Sequence, residues 1–271
     1  MKSGRKALWL QVLVGVLLVS GCGKEEKAGV GGEWASDKIM TAKEESDEQE
    51  NKETNIETLS NQGSKANIEK PIETDYAQIY SKVLDDFHAL IASGGDGSVT
   101  VEGEGGVGEA IRSNEEDDNF AIAGYSIEDF SGDGIPELVI GDAVYGGTIY
   151  TMYTCTDGKP HCILESYYRS RYSWMGGNEF FYEGSGGAIY SIFAHYTLSS
   201  DGEMLICQDY YFSHETDATF EEIGFYHNSS GEMDSAVSTM LSSEEEFWML
   251  QEELSDKVQE IELIPFSEYM S

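Results

Sequence analysis

From residue 120 onward the chain repeats one pattern: a short run rich in Ile, Tyr, Phe and Val, then a turn signal. The runs are "AIAGYSIEDF", "PELVIGDA", "TIYTMYTC", "CILESYY", "NEFFYEG", "AIYSIFAHYTL", "MLICQDYYF" and "EEIGFYH". β-Branched and aromatic residues suit a pleated, half-buried surface, so these runs read as strands. The turns "TDGK" at 156–159, "SSDGE" at 199–203 and "NSSGE" at 228–232 are related hairpin signals. Their recurrence predicts an antiparallel meander, a large curved sheet, rather than a parallel α/β fold.

Helical patterns flank this region. In "TDYAQIYSKVLDDFHALIA" at 74–92, Tyr76, Ile79, Tyr80, Val83, Leu84, Phe87 and Ile91 recur at helical spacing, with Thr74 as the expected N-cap. His88 falls beside that stripe and reads as a packed or surface histidine. Between this helix and the strands lies "SGGDGSVTVEGEGGVGEA", Gly-rich and acidic. It holds G-x-G patterns, but no strand feeds it and its acids repel a nucleotide, so it is not a phosphate loop. Near the C-terminus "SSEEEFWMLQEELSDKV" offers Ser243 and Glu246 as a capping box, and "EIELIPFSEY" reads as a last strand. The expected fold class is α+β: an N-terminal helix, a mostly antiparallel β-sheet meander and a helix near the C-terminus. Residues 73–271 form one domain in this reading, long enough to bury a sizeable core.

The first residues are of another kind. Lys2, Arg5 and Lys6 precede "ALWLQVLVGVLLV", an apolar stretch shorter than the roughly 20 residues of a membrane span. It ends in Val19, Ser20, Gly21 and Cys22, which resembles the bacterial lipobox position by position. That resemblance implies a signal peptide over 1–21 and a diacylated Cys22 that anchors the chain to the extracytoplasmic face of a cell membrane. Two acyl chains hold stably where one does not. Residues 23–72 are rich in Glu, Lys, Asn, Ser and Thr with almost no aromatics, too little apolar surface to offset ordering entropy. Residues 22–72 are therefore expected to be a disordered tether, reaching roughly 40 Å as a coil.

Charge narrows the partners. From Glu73 to Ser271 there are 39 acidic against six basic residues, a net charge of −33. Such a domain repels nucleic acid and anionic lipid, and suits cations or basic partners. Three further cysteines, Cys155, Cys162 and Cys207, allow at most one disulfide within the chain. Cys155 and Cys162 flank "TDGKPH" and stand where a hairpin could bring them together; three thiols are the equal alternative.

The stretch "DFSGDGIPELVIGD" at 129–142 carries the clearest chemistry. Asp129, Ser131, Asp133 and Glu137 fall at positions 1, 3, 5 and 9, Gly134 at 6, and Ile135 at 7 offers its carbonyl. Calcium takes six to eight hard oxygens, which alternate side chains on a curling loop can supply. Position 12 is Ile140, so the bidentate Glu of an EF-hand is missing, and "PELVIGD" leaves as a strand. The stretch resembles the calcium loops of FG-GAP and VCBS-type β repeats, with Ser131 as the departure, over about fourteen residues and one copy. The wider chain resembles a group of lipoproteins of Gram-positive gut bacteria on three segments: Tyr125 to Gly141, Gly184 to Ala188 and Pro265 to Tyr269. That resemblance implies a shared fold and location and brings no activity with it. Calcium, bound structurally by Asp129, Ser131, Asp133, Ile135 and Glu137, is the expected cofactor.

No catalytic set stands out. Ser185 in "EGSGGA" lacks the G-x-S-x-G elbow, because Glu183 stands two before it, and His195 lies in a strand pattern. His161, Cys162 and Cys155 have no zinc spacing. Tyr167, Tyr168, Arg169, Arg171, Tyr172, Trp174, Phe180, Phe181 and Tyr182 suggest either a platform for glycan or peptide or a set of core and cross-strand pairs. The sequence is thus read as a membrane-anchored extracytoplasmic lipoprotein with a calcium-stabilised, non-catalytic binding or scaffolding domain. The alternative is a cell-envelope hydrolase acting on glycan or peptide.

Overall fold

The structure, a computed structural model, describes residues 74–114, 118–217 and 222–270. The expected signal peptide, Cys22 and the tether over 22–72 lie outside the described residues. Eleven strands form one antiparallel sheet: β1 (Ala123–Glu128), β2 (Glu137–Asp142), β3 (Ile149–Thr156), β4 (Lys159–Glu165), β5 (Ser170–Gly176), β6 (Glu179–Gly187), β7 (Tyr190–Leu198), β8 (Leu205–Glu215), β9 (Ile223–Asn228), β10 (Thr239–Met240) and β11 (Ile264–Pro265). Their order is β10-β9-β8-β7-β6-β5-β3-β2-β1-β11, with β4 paired to β3 beside the path. Three α-helices pack on the sheet: α1 (Tyr76–Ala92), α2 (Gly105–Ser113) and α3 (Glu244–Ser255).

Both faces of the sheet are covered. One face gathers Val139, Met152, Phe180, Tyr196, Leu198, Cys207, Phe212 and Tyr226 into a core that runs from β2 to β9. On the opposite face, Leu138, Ile140, Tyr150 and Tyr153 pack under Tyr80, Leu84 and Phe87 of α1 and Val107 and Ile111 of α2. Further along that face, Phe181 and Phe193 meet Phe247 of α3. Strands covered on both sides bury successive residues, which is why β2 reads "ELVI" without alternation.

The helices differ from expectation in detail. Asp75, one residue after Thr74, caps α1, its Oδ1 accepting the Gln78 amide at 3.2 Å. Ser243 caps α3 by accepting from the Glu246 amide at 3.2 Å, while Glu246 reaches back to the Ser242 amide at 2.7 Å. α2 was hidden by its glycines, which disfavour helix. They serve close packing instead: a Cβ on Gly106 would lie 2.9 Å from Tyr150, and one on Gly105 would lie 3.0 Å from the Ser166 carbonyl. The last segment is strand only at Ile264–Pro265, then turns as a 3-10 helix over Phe266–Glu268. There Phe266 is buried and Tyr269 donates to Asp85 of α1 at 2.7 Å.

The sheet is strongly curled. Four inter-strand steps separate β2 from β7, about 19 Å in a flat sheet. Yet Gly202, in the β7–β8 turn, lies so close to Glu137 of β2 that a Cβ there would be 2.6 Å from its Oε1. Only twist and coiling of the strands bring these together. Gly202 also has φ of +69°, which disfavours any other residue. Gly202→Ala should therefore lower stability by about 1–3 kcal/mol, more than either factor alone. Thermal unfolding followed by circular dichroism checks this; an unchanged melting temperature would refute the contact.

Candidate functional site

The 129–136 loop joins β1 to β2, and its amides turn inward onto its own side chains. Asp129 Oδ1 accepts the Gly132 amide at 2.7 Å and Oδ2 accepts the Gly134 amide at 2.9 Å. Asp133 Oδ1 accepts the Ile135 amide at 2.6 Å, and Ser131 Oγ accepts the Asp133 amide at 3.3 Å. Gly132 and Gly134 carry positive φ values of 81° and 89°, which the tight curl requires. Asp129 and Asp133 are exposed, with Ser131 and Ile135 half-buried. The loop's exit is held from α1, where the Tyr80 hydroxyl donates to the Pro136 carbonyl at 2.8 Å.

Glu137 lies beneath this rim and is fully buried. Its Oε2 accepts the amides of Phe130 at 2.8 Å and Ser131 at 3.3 Å, so the carboxylate closes the loop from below. Its Oε1 has no hydrogen-bond partner and faces the place where Gly202, Thr154 Oγ1 and Ser131 Oγ meet. Burial pushes the carboxyl up to about 7, against the amide bonds that favour its ionised form; the charge of Asp133 adds to the rise. Among the described residues, no three His, Cys, Asp or Glu side chains gather at metal-holding spacing. Of the five expected ligands, Asp129, Ser131 and Asp133 share the rim, whereas Glu137 points into the fold below them. A carboxylate that accepts one or two amides keeps lone pairs for a cation.

Sequence reasoning assigned Glu137 to the loop and missed that Gly202 and Thr154 enclose it. The one local signal was a charged residue opening an apolar run, "PELVI".

The other constellations resolve plainly. Ser185 Oγ donates to the Gly187 carbonyl at 2.9 Å, in a register shift of β6. Ser185 pairs with Ser191 and Phe181 with His195, so Ser185 and His195 are four residues apart along the sheet, about 13 Å. His195 instead sits 3.8 Å from both Glu179 and Asp209, and His227 meets Asp209 at 2.9 Å. A shallow cleft lined by Thr156, Lys159, His161 and Glu203 contains neither Ser185 nor His195. Cys155 pairs with Pro160 and Cys162 with Tyr153, and no disulfide joins Cys155, Cys162 and Cys207. Of the aromatic stretch, Phe180 and Phe181 are buried and Tyr172, Trp174 and Tyr182 pack against the core. His88 lies between the rings of Phe120 and Tyr269, at 4.8 and 5.7 Å. No described helix is long and apolar enough to cross a membrane.

Compared with models of known families, with curated proteins and with solved structures, the chain matches none.

Glu137 gives the fold a pH dependence when no divalent cation is present. An unfolded Glu loses its proton near pH 4.5, whereas folded Glu137 holds it to about 7. Between these values the unfolded state binds fewer protons, so stability falls as pH rises. The loss should level off above pH 7 at about 3 kcal/mol. Denaturant unfolding in EDTA from pH 4 to 8 checks this, and Glu137→Gln should flatten that part of the profile.

Proposed function

We propose that the chain is a membrane-anchored extracytoplasmic lipoprotein. Residues 1–21 direct export, Cys22 carries the lipid, and residues 22–72 tether a domain that binds or scaffolds without catalysis. Calcium stabilises that domain at the 129–137 loop, through Asp129, Ser131, Asp133, the Ile135 carbonyl and Glu137. The observation that carries the metal is the buried Glu137 oxygen with no hydrogen-bond partner, beside Ser131. A buried carboxylate costs several kcal/mol unless a partner neutralises it, and a divalent cation is such a partner. The loop's hard oxygens and its exposed rim, open to water ligands, suit calcium rather than a softer metal. The role is structural in this reading, because the loop pins β1 and β2 against the β7–β8 turn. The anchor rests on the basic residues, apolar stretch and Ser20-Gly21-Cys22 site in sequence. The hydrolase alternative draws no support from Ser185 and His195, which stand apart.

Titration calorimetry of the full-length protein in detergent should show calcium binding and a raised melting temperature. Asp133→Ala should weaken binding by about tenfold or more. No heat and no thermal shift in the unmodified protein would overturn the calcium reading. Separately, Cys22→Ser should move the protein from the membrane fraction of its host to the soluble fraction. Retention in the membrane would overturn the lipid anchor.

A further inference from the structure

The turn between β7 and β8 is a self-contained hairpin. The Ser199 amide donates to the Met204 carbonyl and the Gly202 amide to the Ser199 carbonyl, both at 2.9 Å. The Met204 amide donates to Ser199 Oγ at 3.1 Å, and Asp201 Oδ1 accepts the Glu203 amide at 3.2 Å. These bonds are internal to the turn. Among the described residues, the one hydrogen bond from this turn to β2 or β3 is on the surface, where Thr156 Oγ1 donates to Glu203 Oε1 at 3.3 Å. A long, water-exposed bond of this kind adds little. The shallow cleft lined by Thr156, Lys159, His161, Glu203 and Met204 opens beside it.

The turn nevertheless docks one residue deeply. Gly202 is buried between exposed Asp201 and Glu203. Its open side meets oxygens from three other elements. A Cβ there would lie 2.6 Å from Glu137 Oε1 of β2, 3.3 Å from Thr154 Oγ1 of β3 and 3.4 Å from Ser131 Oγ of the 129–136 loop. Three hard oxygens thus face one position. Glu137 Oε1 is buried without a hydrogen-bond partner, and Thr154 is 1% exposed. Ser131 Oγ is held loosely, at 3.3 Å from Asp129 Oδ1 and from the Asp133 amide. A glycine methylene is a poor partner for a carboxylate, and it excludes the water that would solvate the charge. Docking of the turn is therefore opposed by the charge it covers until a cation neutralises that charge.

We infer that the β7–β8 turn is a calcium-operated latch, in which Thr154 Oγ1 joins Glu137 Oε1 and Ser131 Oγ as a ligand and the turn locks over them when the cation is held. The inference rests on the calcium reading of the 129–137 loop and names what the metal regulates. The oxygens are all hard, as calcium prefers. Leu138 pairs with Tyr153, which sets Glu137 opposite Thr154 on adjacent strands. The sheet thus fixes two of the oxygens, and the turn covers them. Under the docked turn water is excluded, so the carboxylate attracts a cation more strongly than it does in an open site. That difference in affinity lets the metal shift the turn toward its docked state, and docking strengthens binding by the same factor.

Hydrogen exchange of the full-length protein in detergent, in EDTA and in calcium at neutral pH, tests this, with calcium heats measured on the same samples. Calcium should slow exchange of the Gly202 and Met204 amides about tenfold or more. Thr154→Val removes the oxygen at nearly constant shape; it should weaken calcium binding about tenfold or more and abolish that slowing. Thr154→Ser keeps the hydroxyl and should retain both. Calcium heat with unchanged exchange at Gly202 and Met204 would overturn the latch and leave the calcium reading standing. Calcium binding by Thr154→Val as tight as that of the unmodified protein would overturn Thr154 as a ligand. Absence of calcium heat in the unmodified protein would overturn both readings. Exchange in the unmodified protein decides the latch even where the valine variant fails to fold.

Discussion

A single buried carboxylate holds together parts of this fold that are distant in sequence. Glu137 opens β2, closes the preceding loop through the Phe130 and Ser131 amides, and abuts Gly202, 65 residues later. Burying an ionisable group is unfavourable, and two amide bonds offset only part of that. Its raised proton affinity is the visible residue of the imbalance. The shape of the loop depends on how this group is satisfied, and the curl of the sheet brings the β7–β8 turn against it. In the proposed reading a cation completes it.

Around that point the packing follows from two covered faces. The curled sheet encloses one aromatic-rich core, while α1 with α2 and α3 cover two separate stretches of the other face. Aromatic pairs join the layers, such as Phe130 with Trp174 at 5.7 Å and Phe193 with Phe247 at 4.8 Å. Edge-to-face rings of this kind add to the area they bury. The curl also separates the ends of the sheet. One end carries the acidic 129–136 loop and the Asp-Gly turns, the other the β4–β5 tip with Tyr168 and Arg169.

Much of the fold was legible, for local reasons. The stripe of Tyr80, Leu84, Phe87 and Ile91 coincides with the buried face of α1, because helical period and burial are the same constraint. The Ile- and Tyr-rich runs coincide with β1 to β4 and β6 to β9, since each strand needs only its own alternation and its turn; β5, "SRYSWMG", was not among them. α2 was not legible: Gly105, Gly106 and Gly108 argue against helix locally, and their reason is the closeness of β3. In the loop, the spacing of Asp129, Ser131 and Asp133 was plain, whereas the inward turn of Glu137 was not. Equally, "ESYYRSRYSWMGGNEFFYEG" does not separate Tyr168, exposed, from Phe180, buried.

By itself the sequence determined where most of the strands begin and turn, that one helix precedes them and another follows, and that the domain is strongly acidic. These are properties of neighbouring residues, set by period, propensity and composition. Only the tertiary structure decided that β2 reaches the β7–β8 turn and that a glycine-rich stretch winds as a helix. Those outcomes depend on curvature accumulated over several strands, and no window of sequence contains a quantity that arises from the whole sheet.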